Sequence, residues 1–251
     1  MHILVLQHER VEHPGIFRSF LKADNRSWDA VELDEGEALP DLDGYDALWV
    51  MGGPMDTWQE DAHPWLRDEK RYIAEAVRDR DMPFLGFCLG HQLLANALGG
   101  AVAPAQTPEI GIMEVHRTDT NDPGDLFDGL PLRFNCLQWH SAEVTGVPEG
   151  AQILARSPAC AVQAMRWGER ALSMQFHIEI EANTVETWSH IPEYKEALEA
   201  LEALEAPMGA GSVPAFEAQA TQNMADFNQM ARRLYTNWMR VASRTQVAAG
   251  V

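Results

Sequence analysis

The run Pro83-Phe84-Leu85-Gly86-Phe87-Cys88-Leu89-Gly90-His91-Gln92 decides how the chain is organised around it. Phe84 to Phe87 is a short apolar stretch and reads as a buried strand. Leu93-Leu94-Ala95-Asn96-Ala97-Leu98 reads as a helix, closed by Gly99-Gly100. Cys88 falls on the turn between the two, with Gly86 before it and Gly90 after it. A strand-to-helix turn this tight leaves no room for Cβ atoms on either side, and it should hold the central residue strained and exposed. The backbone N–H groups that open the helix put positive potential beside the sulfur and favour the thiolate, its reactive form. The pattern is G-x-C-x-G, a nucleophile elbow with Cys in the place of Ser. It predicts a thiol nucleophile.

Upstream of this run, strands and helices alternate. Ile3 to Leu6 reads as a buried strand, followed by a loop (His8 to Pro14) and a short helix from Gly15 to Lys22. Trp28 to Leu33 reads as a second strand and the acidic stretch Asp34 to Asp43 as a surface connection. Asp46 to Met51 is a strand that runs straight into Gly52-Gly53-Pro54. Pro64 opens a helix carrying Trp65, Ile73 and Val77 on one face. This alternation predicts an α/β fold with a doubly wound, largely parallel sheet. From Ala101 to Phe176 the texture becomes short and β-rich: Ile112 to His116, Leu132 to Leu137, Val162 to Arg166 and Ala171 to Phe176. Beyond Glu181 the chain turns helical, with Tyr194 to Ala206 broken by Pro207 to Pro214. A last helix carries Phe216, Ala220, Met224, Phe227, Ala231, Leu234, Trp238 and Val241 on one face. That stripe is expected to pack on the chain's own domain, with a homodimer seam as the alternative. The expected division is one α/β domain over residues 1–181 and a helical extension, packed on it, over residues 182–251.

Composition narrows the function class. Of 251 residues, 38 are Asp or Glu and 19 are Lys or Arg, a net charge of −19 that argues against nucleic-acid and anionic-membrane partners. No apolar run approaches the roughly 18 residues of a membrane span, and Met1 to Leu6 reads as a strand rather than a signal peptide. The expectation is a cytoplasmic protein. The three cysteines, Cys88, Cys136 and Cys160, form no C-x-x-C pair. A disulfide framework is not expected, and Cys136 and Cys160 read as structural.

A nucleophilic Cys needs a base, and the base needs an orienting carboxylate. Ser173-Met174-Gln175-Phe176-His177-Ile178-Glu179 supplies both if it is a strand end, because residues i and i+2 then face one side and His177 and Glu179 point to one site. The third part is Gly52-Gly53-Pro54. Attack on an amide carbonyl develops an oxyanion, which needs backbone N–H donors held in place beforehand. Gly53 and Leu89, the residue after the nucleophile, are the candidate donors. His8, His13 and His63 stand near strand C-termini but lack metal-ligand spacing, so no metal and no organic cofactor is expected. His91 reads as packing for the elbow helix. Trp58 and Trp65 read as core residues or a pocket floor.

In order and spacing, Gly-Gly-Pro, Gly-Phe-Cys-Leu-Gly-His-Gln and Gln-Phe-His-Ile-Glu resemble the class I glutamine amidotransferases, over about Met1 to Glu181. The chain is most similar to free-standing relatives of the amidotransferase domain of GMP synthetase. The resemblance implies a flavodoxin-like mixed sheet, mostly parallel and flanked by helices. It also implies a triad of Cys88, His177 and Glu179, an oxyanion glycine at Gly53, and Gln92 as a substrate-holding residue, with Gly52 beside the substrate. Gln138-Trp139-His140-Ser141 matches a segment whose backbone lies near the amino-acid end of glutamine, which brings Trp139, His140 and Ser141 into the expected binding set. One departure is Ile178, where the family most often has Pro. The implied substrate is glutamine or another γ-glutamyl compound.

Three functions follow from these residues. The first is a glutaminase or amidotransferase whose ammonia goes to a separate synthase subunit. The chain has neither a G-x-x-x-x-G-K-[ST] loop nor a Ser-Gly-Gly-x-Asp-Ser loop with which to activate an acceptor itself. The second is a γ-glutamyl hydrolase or peptidase using the same triad. The third, disfavoured by the intact triad, is a non-catalytic protein of the same fold. His8 to Ile16, Met55 to Trp65 and the C-terminal helices are expected to control the pocket mouth.

Overall fold

The computed structural model describes residues 1–118, 126–203 and 213–243. The strands are β1 (His2–Gln7), β2 (Ser27–Glu32), β3 (Ala47–Val50), β4 (Phe84–Phe87), β5 (Ala101–Arg117), β6 (Arg133–Gly146), β7 (Ala151–Arg156), β8 (Ala164–Trp167) and β9 (Ala171–Met174). The helices are α1 (Phe17–Ala23), α2 (Trp65–Ala74), α3 (Leu89–Ala97), α4 (Thr184–Trp188), α5 (Pro192–Ala203) and α6 (Val213–Ala242). The strands form one mixed sheet in the order β2-β1-β3-β4-β9-β8-β7-β5-β6. From β2 through β9 neighbours are parallel; from β9 through β6 they are antiparallel.

Inside the edge strand β2, the parallel strands β1, β3 and β4 are apolar on both faces because helices cover both. Ile3 and Val5 of β1 join the core formed with α1 and α6, while Leu4 and Leu6 join the core formed with α2 and α3. The α6 stripe is spent inside the chain. Phe216, Phe227, Leu234 and Trp238 are fully buried, and Trp238 packs edge-on against Trp49 at 5.4 Å with its indole N–H on the Phe84 carbonyl at 3.0 Å. This face is therefore a core face and not a homodimer seam. The break expected from Pro207 lies over residues 204–212, outside the described residues; Pro214 sits in the first turn of α6, where its missing N–H costs nothing.

Four elements are longer or newer than the pattern predicted. β5 and β6 pair along most of their length, with a register shift between Pro104 and Glu109, and β7 was not anticipated at all. Helix α3 begins at Leu89, directly after the cysteine, rather than at Leu93. No helix among the described residues is long and apolar enough to cross a membrane.

Candidate active site

β1, β3, β4 and β9 are parallel neighbours, so their carboxyl ends lie side by side, where open α/β sheets bind ligands. β1 leads into His8, β3 into Gly52-Gly53-Pro54, β4 into Cys88 and β9 toward His177.

Cys88 takes φ 48° and ψ −104°. Positive φ in a residue with a Cβ stores about 1–3 kcal/mol of strain and persists only where the surroundings impose it. Here Cys88 N–H donates to Met174 O at 2.8 Å and Gly90 N–H donates to Met51 O at 3.1 Å. The flanking glycines answer to close approach. A Cβ on Gly90 would lie 2.1 Å from the Val50 carbonyl oxygen, and one on Gly86 would lie 2.8 Å from the Gly90 oxygen. The expected strain is present, but the expected exposure is not, since Cys88 is only 4% exposed. It lies in a cavity of about 40 Å3 whose walls include Met55, Trp139 and Tyr194. A larger hollow of about 630 Å3 lies elsewhere, between the start of β6 and α6, and has no cysteine or histidine in its lining.

His177 stands just past β9, where it bridges β6: its N–H donates to Leu137 O at 2.8 Å and Leu137 N–H donates back at 3.1 Å. His177 Nδ1 is 2.5 Å from Glu179 Oε1, and the other Glu179 oxygen accepts from Ile178 N–H at 2.9 Å. Proline at position 178 could not donate this bond, so the departure at Ile178 adds a hold on the carboxylate. Trp188 packs edge-on to the imidazole at 4.8 Å. His177 Nε2 is buried with no nitrogen or oxygen partner, which leaves it to the Cys88 sulfur. Burial works against charge on the ring, but Glu179 and the Cys88 thiol outweigh it and hold its pKa well above the ordinary histidine value. A thiol beside such a base can pass its proton to the ring.

The remaining predicted residues gather around Cys88. Gly53, Leu89, Gln92, Trp139, His140 and Ser141 line the cavity. The Gly53 and Leu89 N–H groups donate to no other group among the described residues. Gly52 is just behind them, and a Cβ there would lie 2.0 Å from Glu12 Oε2 and 3.5 Å from His177 Cε1. Gln92 Nε2 is engaged within the protein, donating to Gln175 Oε1 at 3.0 Å and Ala142 O at 3.2 Å, while Gln175 Nε2 reaches the Cys88 sulfur at 3.5 Å. His140 Nδ1 bonds to Ala142 O at 3.0 Å, while its Nε2 stands 3.2 Å from the buried Glu109 carboxylate without an aligned hydrogen bond, which suits a residue that shapes the β6 segment. Among the described residues no group of three or more His, Cys, Asp or Glu side chains converges as metal donors.

Other expectations resolve individually. His91 is buried between Ser173 Oγ and Val162 O, and burial pushes its pKa down to about 3. Cys136 and Cys160 are buried, and burial pushes both thiols up. Trp58 is 44% exposed and is neither core nor pocket floor, whereas Trp65 stacks on His8. Nothing in the pattern singled out Glu12, Glu69 or Tyr194. Glu12 is buried beside His177 and accepts from the Tyr194 hydroxyl, so α5 supplies a wall of the cavity. The only signal for His8 and Glu12 was their place in the loop after β1, at the ligand-binding end of the sheet.

Fold and site together define a doubly wound α/β protein with a cysteine elbow, a histidine and its carboxylate at the ends of adjacent strands. The chain belongs to the glutamine amidotransferase class-I family, whose model matches residues 18–187. It is 36% identical over 171 residues to the GMP synthase (glutamine-hydrolyzing) of Aeropyrum pernix, a match covering 68% of this chain and 30% of that one. To one of the subunits of the GMP synthase (glutamine-hydrolyzing) of Methanocaldococcus jannaschii it is 43% identical over 118 residues, covering 47% of this chain and 61% of that one. The chain thus spans less than two thirds of either curated relative. A crystal structure of a glutamine amido transferase from Methylobacillus flagellatus superposes over 99% of this chain and 98% of that one, with TM-score 0.84 and 29% identity.

Proposed function

We propose that the protein hydrolyses the γ-carboxamide of glutamine through Cys88, His177 and Glu179. The observation that carries this reading is the His177 imidazole, tied through Nδ1 to Glu179 and set beside a cysteine held at positive φ. His177 takes the thiol proton and the Cys88 sulfur attacks the γ-carbonyl carbon. The Gly53 and Leu89 N–H groups accommodate the oxyanion. Collapse of the tetrahedral intermediate breaks the C–N bond, with the proton on His177 passing to the departing nitrogen as ammonia leaves. Water, deprotonated by His177, then attacks the γ-glutamyl thioester and releases glutamate and the thiol.

In this reading residues 1–181 carry the chemistry and residues 182–251 are an extension that closes the site through Trp188 and Tyr194. The ammonia passes to an acceptor activated by a separate synthase protein. The alternative reading, a γ-glutamyl hydrolase that releases bulkier amines or peptides, needs room past Trp139 and Tyr194 in the cavity wall. The test is purified protein incubated with glutamine, γ-glutamyl amines and glutathione-type peptides, beside a Cys88→Ala control. Glutamine turnover that a synthase partner stimulates supports the proposal. Rapid release from γ-glutamyl peptides by the protein alone favours the hydrolase, and activity that survives Cys88→Ala overturns the mechanism.

A further inference from the structure

A second buried histidine–carboxylate pair lies behind the proposed oxyanion site. His8 is 1% exposed and Glu69, on α2, is fully buried. His8 Nδ1 lies 2.8 Å from the Gly52 carbonyl oxygen and Nε2 lies 2.8 Å from Glu69 Oε1, with Trp65 stacked on the ring. A carbonyl oxygen only accepts, so Nδ1 carries a proton. Burial opposes charge on this ring, yet Glu69 and the Gly52 carbonyl outweigh it and raise its pKa above the ordinary histidine value. A buried ion pair is a weak stabilising device. Its placement on one particular carbonyl is what calls for an explanation.

The peptide unit between Gly52 and Gly53 is planar and trans, so its C=O and its N–H point in opposite directions within one plane. Holding the carbonyl on His8 therefore turns the Gly53 N–H away from His8. Two successive glycines put little steric limit on rotation of this unit, so a bond has to supply it. A donor on the carbonyl oxygen, itself hydrogen-bonded through the same ring to a carboxylate, also polarises the amide and strengthens the N–H on the far side. We infer that the His8–Glu69 pair is a positioning device for the oxyanion hole, aiming the Gly53 N–H at the oxygen of the γ-glutamyl carbonyl as it becomes negative. The inference rests on the catalytic reading above, and His8 itself makes and breaks no bond to substrate.

Three variants test it. His8→Leu removes both donors, His8→Asn keeps an amide N–H close to where Nδ1 stands, and Glu69→Gln removes the counter-charge at constant shape. Each is assayed for glutamine hydrolysis and for alkylation of Cys88 by iodoacetamide, a displacement at saturated carbon that builds no oxyanion. In His8→Leu kcat should fall about 100-fold, the size of losing one oxyanion donor, with KM changed by less than about threefold. His8→Asn should recover at least about tenfold of that loss, and Glu69→Gln should lower kcat by about tenfold. All three should alkylate at the wild-type rate. A kcat for His8→Leu within about threefold of wild type overturns the inference, as does a parallel fall in alkylation or the absence of rescue by Asn. If His8→Leu does not fold, His8→Asn and Glu69→Gln decide the matter through the split between hydrolysis and alkylation. A wild-type protein that turns over no γ-glutamyl compound fails the catalytic reading itself, a result distinct from an active enzyme indifferent to His8.

Discussion

Replacing Glu12 with glutamine should change how the stability of this fold depends on pH. Glu12 is buried in the loop after β1; one oxygen accepts from the Tyr194 hydroxyl and the other has no partner. Burial raises its pKa from 4.5 to about 7, against the smaller opposing pull of Tyr194, His177 and His8. The unfolded chain releases this proton near pH 4.5, whereas the folded protein keeps it until about pH 7. Between those values the folded state binds more protons, so stability is lost as pH rises through the window and levels off above it. The shift from 4.5 to about 7, at about 1.4 kcal/mol per unit, corresponds to about 3 kcal/mol. Glutamine keeps an oxygen for Tyr194 and cannot ionise.

Glu12→Gln should therefore match wild type within about 1 kcal/mol below pH 4.5 and exceed it by about 3 kcal/mol at pH 8. Urea unfolding followed by tryptophan fluorescence, at closely spaced pH values across this range, gives both curves. Taking their difference removes the contributions of groups that the substitution leaves alone. Parallel curves, or an advantage for Glu12→Gln that shrinks as pH rises, would refute the burial argument.

Other perturbations address the turn, the base and the cavity wall. Gly90→Ala forces a Cβ to within 2.1 Å of the Val50 carbonyl oxygen, a backbone atom that cannot rotate aside, and should cost at least about 3 kcal/mol by chemical denaturation. Gly44→Ala, where a Cβ meets nothing within 4 Å, should stay within about 0.5 kcal/mol of wild type and serves as the control. Glu179→Gln keeps the shape beside His177 but removes the charge that fixes its tautomer. It should lower kcat by about 10²–10⁴ with little change in KM, measured by ammonia release at steady state. Tyr194→Ala takes away a wall of the cavity and should raise kcat/KM for bulky γ-glutamyl amides relative to glutamine by about tenfold or more; an unchanged ratio means that Tyr194 does not set leaving-group size.

Much of the parallel half was legible because each piece carries its own local signal. Apolar runs bounded by turn residues mark β1, β3 and β4, and the glycines around Cys88 mark the turn. The start of α3 was less legible. Gly90 reads as a turn residue, but it lies within the helix, and its missing side chain is explained by the Val50 carbonyl of a neighbouring strand. β7 is illegible because Ala151-Gln-Ile-Leu-Ala-Arg156 neither alternates nor forms a run, and its pairing with β8 and β5 makes it a strand. His177 and Glu179 were found as an i, i+2 pair, yet they lie beyond the regular strand and are held by a bridge to β6.

The sequence by itself determined a strained thiol on a strand-to-helix turn, a histidine and carboxylate two positions apart, and a glycine pair at a strand end, because each is a contact between near neighbours in the chain. Only the tertiary structure decided that Cys88 is enclosed rather than exposed, that Tyr194 of α5 and Glu12 of the first loop meet beside His177, and that His8 and Glu69 hold the Gly52 carbonyl. Those residues come from segments far apart in sequence. Their burial and charge states depend on what surrounds them in space, and desolvation and Coulomb energy follow distance in the folded molecule rather than position along the chain.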